Sequence, residues 1–113
     1  MSLTNQTTNE ILSFLFSQRI FSWRQNTGGT PLFREGILTG FRPSGKVGQP
    51  DIVGILPTGT YLGIEIKTGK DRLSEGQLSF HSQARKVGAK ILVVKDFPDF
   101  LDQWKKLCYT TQV

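Results

Sequence analysis

The sequence predicts an α/β fold, a mixed β-sheet flanked by helices, and three observations carry that prediction. Two apolar runs flank Pro57-Thr58-Gly59 within residues 51–67, which is the pattern of a tight hairpin. Segments at the start of the chain and after residue 74 place apolar side chains at helical spacing. A short β-branched run, Lys90-Ile91-Leu92-Val93-Val94, follows the second of these segments and reads as a buried strand.

Taken in order, Thr4 to Gln18 is the first predicted helix. Ile11, Phe14, Leu15 and Gln18 recur on one face, and the polar run before them supplies N-cap candidates. Phe21 to Asn26 alternates like a short strand and runs into a turn at Gly28-Gly29; Leu32 to Leu38 is read as a further short strand. Thr39 to Gln49, rich in Gly, Pro and Ser, is expected to be an exposed loop. Asp51 to Leu56 and Tyr61 to Lys67 form the hairpin. Ser74-Glu75-Gly76-Gln77 opens the second helix, which stops at Gly88. Asp96 to Leu107, entered through Pro98, is a closing helix that Phe100 and Trp104 pack onto the core. With 113 residues and no repeat or linker, residues 1–113 are expected to form a single domain.

Composition narrows the function classes. No apolar run reaches the ~20 residues that span a bilayer, so no membrane partner is expected. The start, MSLTNQTTNE, has neither a basic n-region nor an apolar h-region. Cys108, the single cysteine, has no intrachain partner. Both features point to a cytoplasmic protein. The net charge of +5 is a mild hint of a nucleic-acid partner, and its distribution adds to the hint. Arg19, Arg24, Arg34, Arg42 and Lys46 are opposed only by Glu35, whereas Asp96 to Asp102 holds three aspartates and no base. One basic end and one acidic end suit a phosphate-facing surface with a solvated back.

The chemistry-bearing residues cluster on the hairpin. Alternation sends Leu62, Ile64 and Ile66 to one face of the returning strand and Tyr61, Gly63, Glu65 and Lys67 to the other. A Glu/Lys pair on a strand is, in isolation, an ordinary solvated face. Asp51 changes that reading. It lies 14 residues before Glu65 with a turn between them, so the two carboxylates can meet across the sheet. Carboxylates brought together repel unless a proton or a cation intervenes. Oxygen ligands suit a hard ion, Mg²⁺ or Mn²⁺, and zinc is a poor candidate with His81 and Cys108 the only imidazole and thiol. A lysine two residues beyond the second carboxylate can orient a water or balance phosphorane charge. Asp51, Glu65 and Lys67 are together equipped for metal-assisted phosphodiester hydrolysis.

Pro50-Asp51 followed by Glu65-Ile66-Lys67 resembles the signature of the PD-(D/E)XK nucleases. A wider set is similar to the VRR-NUC branch of that superfamily: Trp23-Arg24-Gln25-Asn26-Thr27-Gly28, Gly48 to Gly54, Gly63 to Lys67, Ser74 to Gln77, and Gly88-Ala89. The resemblance covers about Trp23 to Val94. It implies a restriction-endonuclease-like αβββαβ core and a metal-dependent endonuclease, with Asp51, Glu65 and the backbone carbonyl of Ile66 as metal ligands. It also implies that Gln77 sits at the edge of the active site, although a capping box with Ser74 would by itself account for this glutamine. Related nucleases often carry an extra acidic group on the first helix, which here would be Glu10; a first-turn glutamate stabilised by the helix dipole is the even alternative. Arg24 and Asn26 match an Arg-x-Asn segment that could touch phosphate, and Arg42, Lys46 and Lys70 are further candidates for DNA contact. His81 is expected on the helix surface. The small phage and bacterial members imply branched DNA, such as four-way junctions or flaps, as substrate, and a homodimer as the working unit. A non-catalytic DNA-binding module of the same fold and an RNA-processing nuclease remain alternatives.

One motif is a decoy. Gly40-Phe41-Arg42-Pro43-Ser44-Gly45-Lys46 spells a phosphate-binding loop up to its last position. Val47 then replaces the required hydroxyl, and no helix follows.

Overall fold

The computed structural model describes residues 2–25, 30–42 and 46–111. The elements run α1 (Leu3–Ser17), β1 (Phe21–Arg24), β2 (Thr30–Arg34), β3 (Ile37–Arg42), β4 (Ile52–Ile55), β5 (Tyr61–Ile66), α2 (Glu75–Lys86), β6 (Lys90–Val94) and α3 (Phe97–Thr111). The main sheet has four strands in the order β1-β4-β5-β6. β1, β4 and β5 are antiparallel neighbours, and β6 joins β5 in parallel. A parallel neighbour needs a crossover, which α2 supplies. The chain is therefore of the α/β class, with a mixed sheet flanked by helices. Among the described residues no helix is long and apolar enough to cross a membrane.

The principal core lies between one sheet face and the pair α1 and α3. Leu62, Ile64 and Ile66 of β5, Ile52 of β4 and Val94 of β6 meet Ile11 and Leu15 of α1 and Phe100, Trp104 and Leu107 of α3. Phe14 sets its ring edge-on to Phe97, Phe100 and Trp104, an arrangement that aromatic quadrupoles favour. α1 begins where the Ser2 hydroxyl accepts from the Asn5 N–H. α3 begins where the Asp96 carboxylate accepts from the Asp99 N–H and Asp99 in turn accepts from the Lys95 N–H.

The opposite sheet face carries α2 and a smaller, mixed layer. Gly63 keeps it tight. A Cβ there would lie 2.6 Å from Pro50 Cγ and 2.8 Å from Ile91 Cδ1. The loop before β4 closes over the start of α2, with Val47 and Gly48 against Gly76.

Two expectations need correction. Leu32 to Leu38 is not one strand followed by a loop to Gln49; it is the heart of a separate two-stranded ribbon, β2-β3. The chain reverses at Glu35-Gly36, both at positive φ (53° and 79°), the backbone that a two-residue hairpin turn requires. Glutamate seldom adopts it, so the turn is hard to see in the sequence. His81 is not on the helix surface but is 1% exposed. Gln77, Phe80, Ala84 and Val87 follow helical spacing, a stripe expected to turn toward the sheet; Gln77 does meet Glu65 and Phe80 meets Tyr61, but Val87 is left 86% exposed and His81 is buried instead. The predicted turn at Gly28-Gly29 lies outside the described residues, as do Pro43, Ser44 and Gly45 of the loop-like decoy.

Candidate active site

Two strand ends bring the carboxylates together. Asp51 precedes β4 and Glu65 is the penultimate residue of β5. The Asp51 N–H donates to Glu65 Oε2 at 3.1 Å, and the Ile66 N–H donates to Asp51 Oδ2 at 2.7 Å. Each strand thus uses a backbone donor to hold the other strand's acid. Pro50, buried over Gly63, fixes the approach of the loop to this point.

α2 supplies the third partner. Ser74 and Gln77 form a complete capping box: Ser74 Oγ accepts from the Gln77 N–H at 3.1 Å, and Gln77 Oε1 accepts from the Ser74 N–H at 2.8 Å. The other end of the same amide reaches the acid, with Gln77 Nε2 donating to Glu65 Oε1. Capping and contact with the site are therefore two uses of one side chain. The cap fixes the amide's orientation, leaving its NH₂ turned toward Glu65.

Glu65 is only 1% exposed. Burial pushes its carboxyl up to about 8, and the neighbouring Asp51 adds to this through its charge and a side-chain hydrogen bond; Lys67 and the Asp51 N–H offset part of the rise. At neutral pH the pair therefore retains a proton. Lys67 follows β5 on the Glu65 face and is half-buried, its backbone N–H bound to the Val94 carbonyl at 2.9 Å. Its ammonium has no hydrogen bond among the described residues, so it is free to meet an anion entering the site.

The donor set fits a hard divalent cation. A carboxylate has about four lone-pair positions, and N–H donors occupy two on Glu65 and one on Asp51. Oxygen positions remain on both acids, with the Ile66 carbonyl on the intervening backbone. Mg²⁺ commonly takes one or two carboxylates and keeps several waters. No cluster of three or more His, Cys, Asp or Glu suited to a metal occurs among the described residues.

The other predicted residues are placed unevenly. Glu10 is exposed on α1, beside Gln6, Asn9, Phe14 and Phe97 in a shallow groove, and is not brought to the acidic pair. Arg24 is already engaged, donating to Asn5 Oδ1 at 2.6 Å and so tying β1 to α1. Arg42 is exposed on the ribbon. Lys46 lines a cleft with Tyr61 and Phe80, at the opposite end of β5 from Glu65. Lys70 is exposed in the segment between β5 and α2, and Arg72, which the sequence reading passed over, is exposed beside it. Asn26 lies outside the described residues.

His81 is the buried group that the sequence did not single out. It follows Gln77 by one turn, and neither ring nitrogen has a hydrogen-bond partner among the described residues. Burial holds its pKa below the usual range, with the Arg85 and Lys67 cations acting in the same direction. No protein-family model and no curated protein sequence matches the chain.

Proposed function

We propose that the chain is a metal-dependent endonuclease of the VRR-NUC type within the PD-(D/E)XK superfamily, hydrolysing phosphodiester bonds of branched DNA with Mg²⁺ or Mn²⁺. The observation that carries this reading is the meeting of Asp51 and Glu65 across β4 and β5, with Glu65 buried and gripped by Gln77. Nothing in the packing of the core calls for two adjacent carboxylates there. Such a pair raises the free energy of the metal-free protein, which is the mark of a group kept for its chemistry.

Asp51, Glu65 and the Ile66 carbonyl would hold the cation. When bound, it supplies positive charge that polarises a phosphoryl oxygen and acidifies a water. Glu65 must lose its proton to act as a ligand, and Gln77 keeps that carboxylate aimed while it does so. The Lys67 ammonium orients the attacking water or balances charge on the pentacoordinate phosphorus. Lys70 and Arg72, exposed in the segment between β5 and α2, would meet flanking phosphates. One domain of this size has room for one such centre, so coordinated cutting of two strands calls for two copies related by a two-fold axis.

The test is cleavage of labelled duplex, single-stranded, flap and four-way-junction DNA in Mg²⁺, Mn²⁺ or EDTA. Asp51→Ala, Glu65→Ala and Lys67→Ala are each expected to lower the rate by on the order of 100-fold or more. Cutting by the Asp51 and Glu65 variants at the wild-type rate would remove the assignment.

A further inference from the structure

The sheet face that carries Glu65 carries Tyr61 as well, since alternation returns every second residue of β5 to one side. At a rise of ~3.3 Å per residue, Tyr61 lies about 13 Å along β5 from Glu65, at the end away from the acids. Between the later turns of α2 and the β4-β5 turn is a cleft of about 660 Å³. That volume is within the ~300–1,000 Å³ of sites that take small molecules.

The lining is mixed in a particular way. Tyr61 and Phe80, with ring centroids 6.4 Å apart and planes tilted by 51°, line it together with Ala84 and Val87. Two neutral polar groups join them: the Tyr61 phenol, partly withdrawn from water, and the Gln83 amide, whose NH₂ donates to Ser79 Oγ at 2.9 Å. Lys46 is the one charged residue at the cleft among the described residues, and no acid lines it. Aromatic rings, neutral hydrogen-bonding groups and a cation are the complement of a nucleotide, which is a planar base with polar edges and a negative phosphate. An apolar peptide side chain would leave Lys46 and Gln83 unused, and a phosphate alone would leave the rings unused.

We propose that this cleft takes one unpaired nucleotide of the DNA strand, its base against Tyr61 and Phe80 and its phosphate at Lys46, a few nucleotides from the bond that Asp51 and Glu65 address. This rests on the reading of the chain as a DNA nuclease and narrows its substrate. The 46–51 segment joins the two places. Lys46 lines the cleft, Val47 and Gly48 lie against Gly76, Pro50 covers Gly63, and Asp51 meets the end of β5. A strand that follows this segment reaches both. A base within a duplex is paired and stacked on both sides, and drawing it out is costly, least so where the strand is already single. The cleft therefore favours DNA with an unpaired arm close to the cut. A flap offers such a base; a four-way junction, with the bases of its arms paired, does not.

Binding of the full chain in EDTA, which withholds the metal, tests the proposal with 2-aminopurine placed at successive positions along the single-stranded arm of a flap. Stacking on an aromatic ring quenches this base analogue. Quenching is expected over a short stretch of the arm and nowhere else, and the flap should bind about 10-fold tighter than a four-way junction. Tyr61→Leu combined with Phe80→Leu removes both rings and keeps apolar side chains, and should abolish the quench. Lys46→Glu changes an exposed residue, so it should keep wild-type circular dichroism while lowering flap affinity toward that of the junction. Equal affinity for the two DNAs, or a quench that survives loss of both rings, would overturn the proposal. Unchanged fluorescence at every position would also overturn it and leave the cleft to an apolar protein segment. The two readings fail separately. Quenching by a protein that cuts no DNA in Mg²⁺ would remove the nuclease and keep the cleft. Cutting that needs Asp51 and Glu65 but is indifferent to an unpaired arm and to Lys46→Glu would keep the nuclease and remove the cleft.

Discussion

Glu65 keeps its proton because two effects act together: burial removes the water that would solvate the anion, and Asp51 stands beside it. The consequence for stability follows from linkage. A carboxyl whose pKa is raised on folding binds more protons in the native than in the unfolded state over the interval between the two values. Its contribution is therefore fully present below about pH 4.5 and is lost as pH rises to about 8. In the metal-free protein the melting temperature should fall across that window and level off above it. Glu65→Gln has no proton to lose and should flatten the slope, gaining several degrees relative to wild type at pH 8.5 on the scale of ~4 °C per kcal/mol. Melting curves in EDTA between pH 4.5 and 9 read this directly. Parallel slopes in the two proteins would mean that Glu65 ionises like an exposed acid.

At the scale of elements, α2 both crosses over from β5 to β6 and furnishes the site, and the two tasks meet in Gln77 and His81. His81 has the opposite linkage to Glu65. Its folded pKa is depressed, so the unfolded chain takes up the proton first and stability is lost as pH falls below about 6.5. His81→Leu should remove this acid lability while keeping the packed volume, and melting at pH 5.0 against pH 7.5 measures it; an unchanged difference would show that His81 is not the group responsible. Gly63 lets Pro50 and Ile91 close over the sheet beside the site. Gly63→Ala brings a methyl against Pro50 and Ile91 and should cost about 1–3 kcal/mol, measured as a shift of the denaturant midpoint. Most of these elements were legible because their signals are local. The 51–67 hairpin, the Ser74–Gln77 cap and the β-branched run at 90–94 each need only their own residues. Asp51, Glu65 and Lys67 could be gathered from strand alternation and one turn. The ribbon was not legible, since its turn places a glutamate in left-handed backbone. His81 was missed because a lone imidazole in a polar helix reads as a surface residue, and its burial one turn after Gln77 is set by how α2 packs on the sheet. The contact of Gln77 with Glu65 is a tertiary fact that the capping box alone could not disclose.

For the whole molecule, the titration of Glu65 and the binding of metal are one equilibrium seen from two sides. A cation that takes Asp51 and Glu65 as ligands binds the ionised form of Glu65, so protons compete with it until the pH passes about 8. A ligand that binds only the folded state stabilises it by RT ln(1 + [L]/Kd), about 2.7 kcal/mol at a hundredfold excess over Kd. At constant Mg²⁺ the rise in melting temperature should therefore grow from pH 6 to pH 8 and then level off. That rise would cancel much of the stability which the metal-free protein loses over the same range, leaving the loaded protein nearly insensitive to pH there. Asp51→Asn keeps an acceptor for the Ile66 N–H but removes a charged ligand, and it should lower the Mg²⁺ response at every pH. Differential scanning fluorimetry with and without Mg²⁺, at pH 6, 7, 8 and 9, would show all of this with no DNA present. A response of equal size at all four values, or one retained in full by Asp51→Asn, would place the bound metal somewhere other than between these two acids.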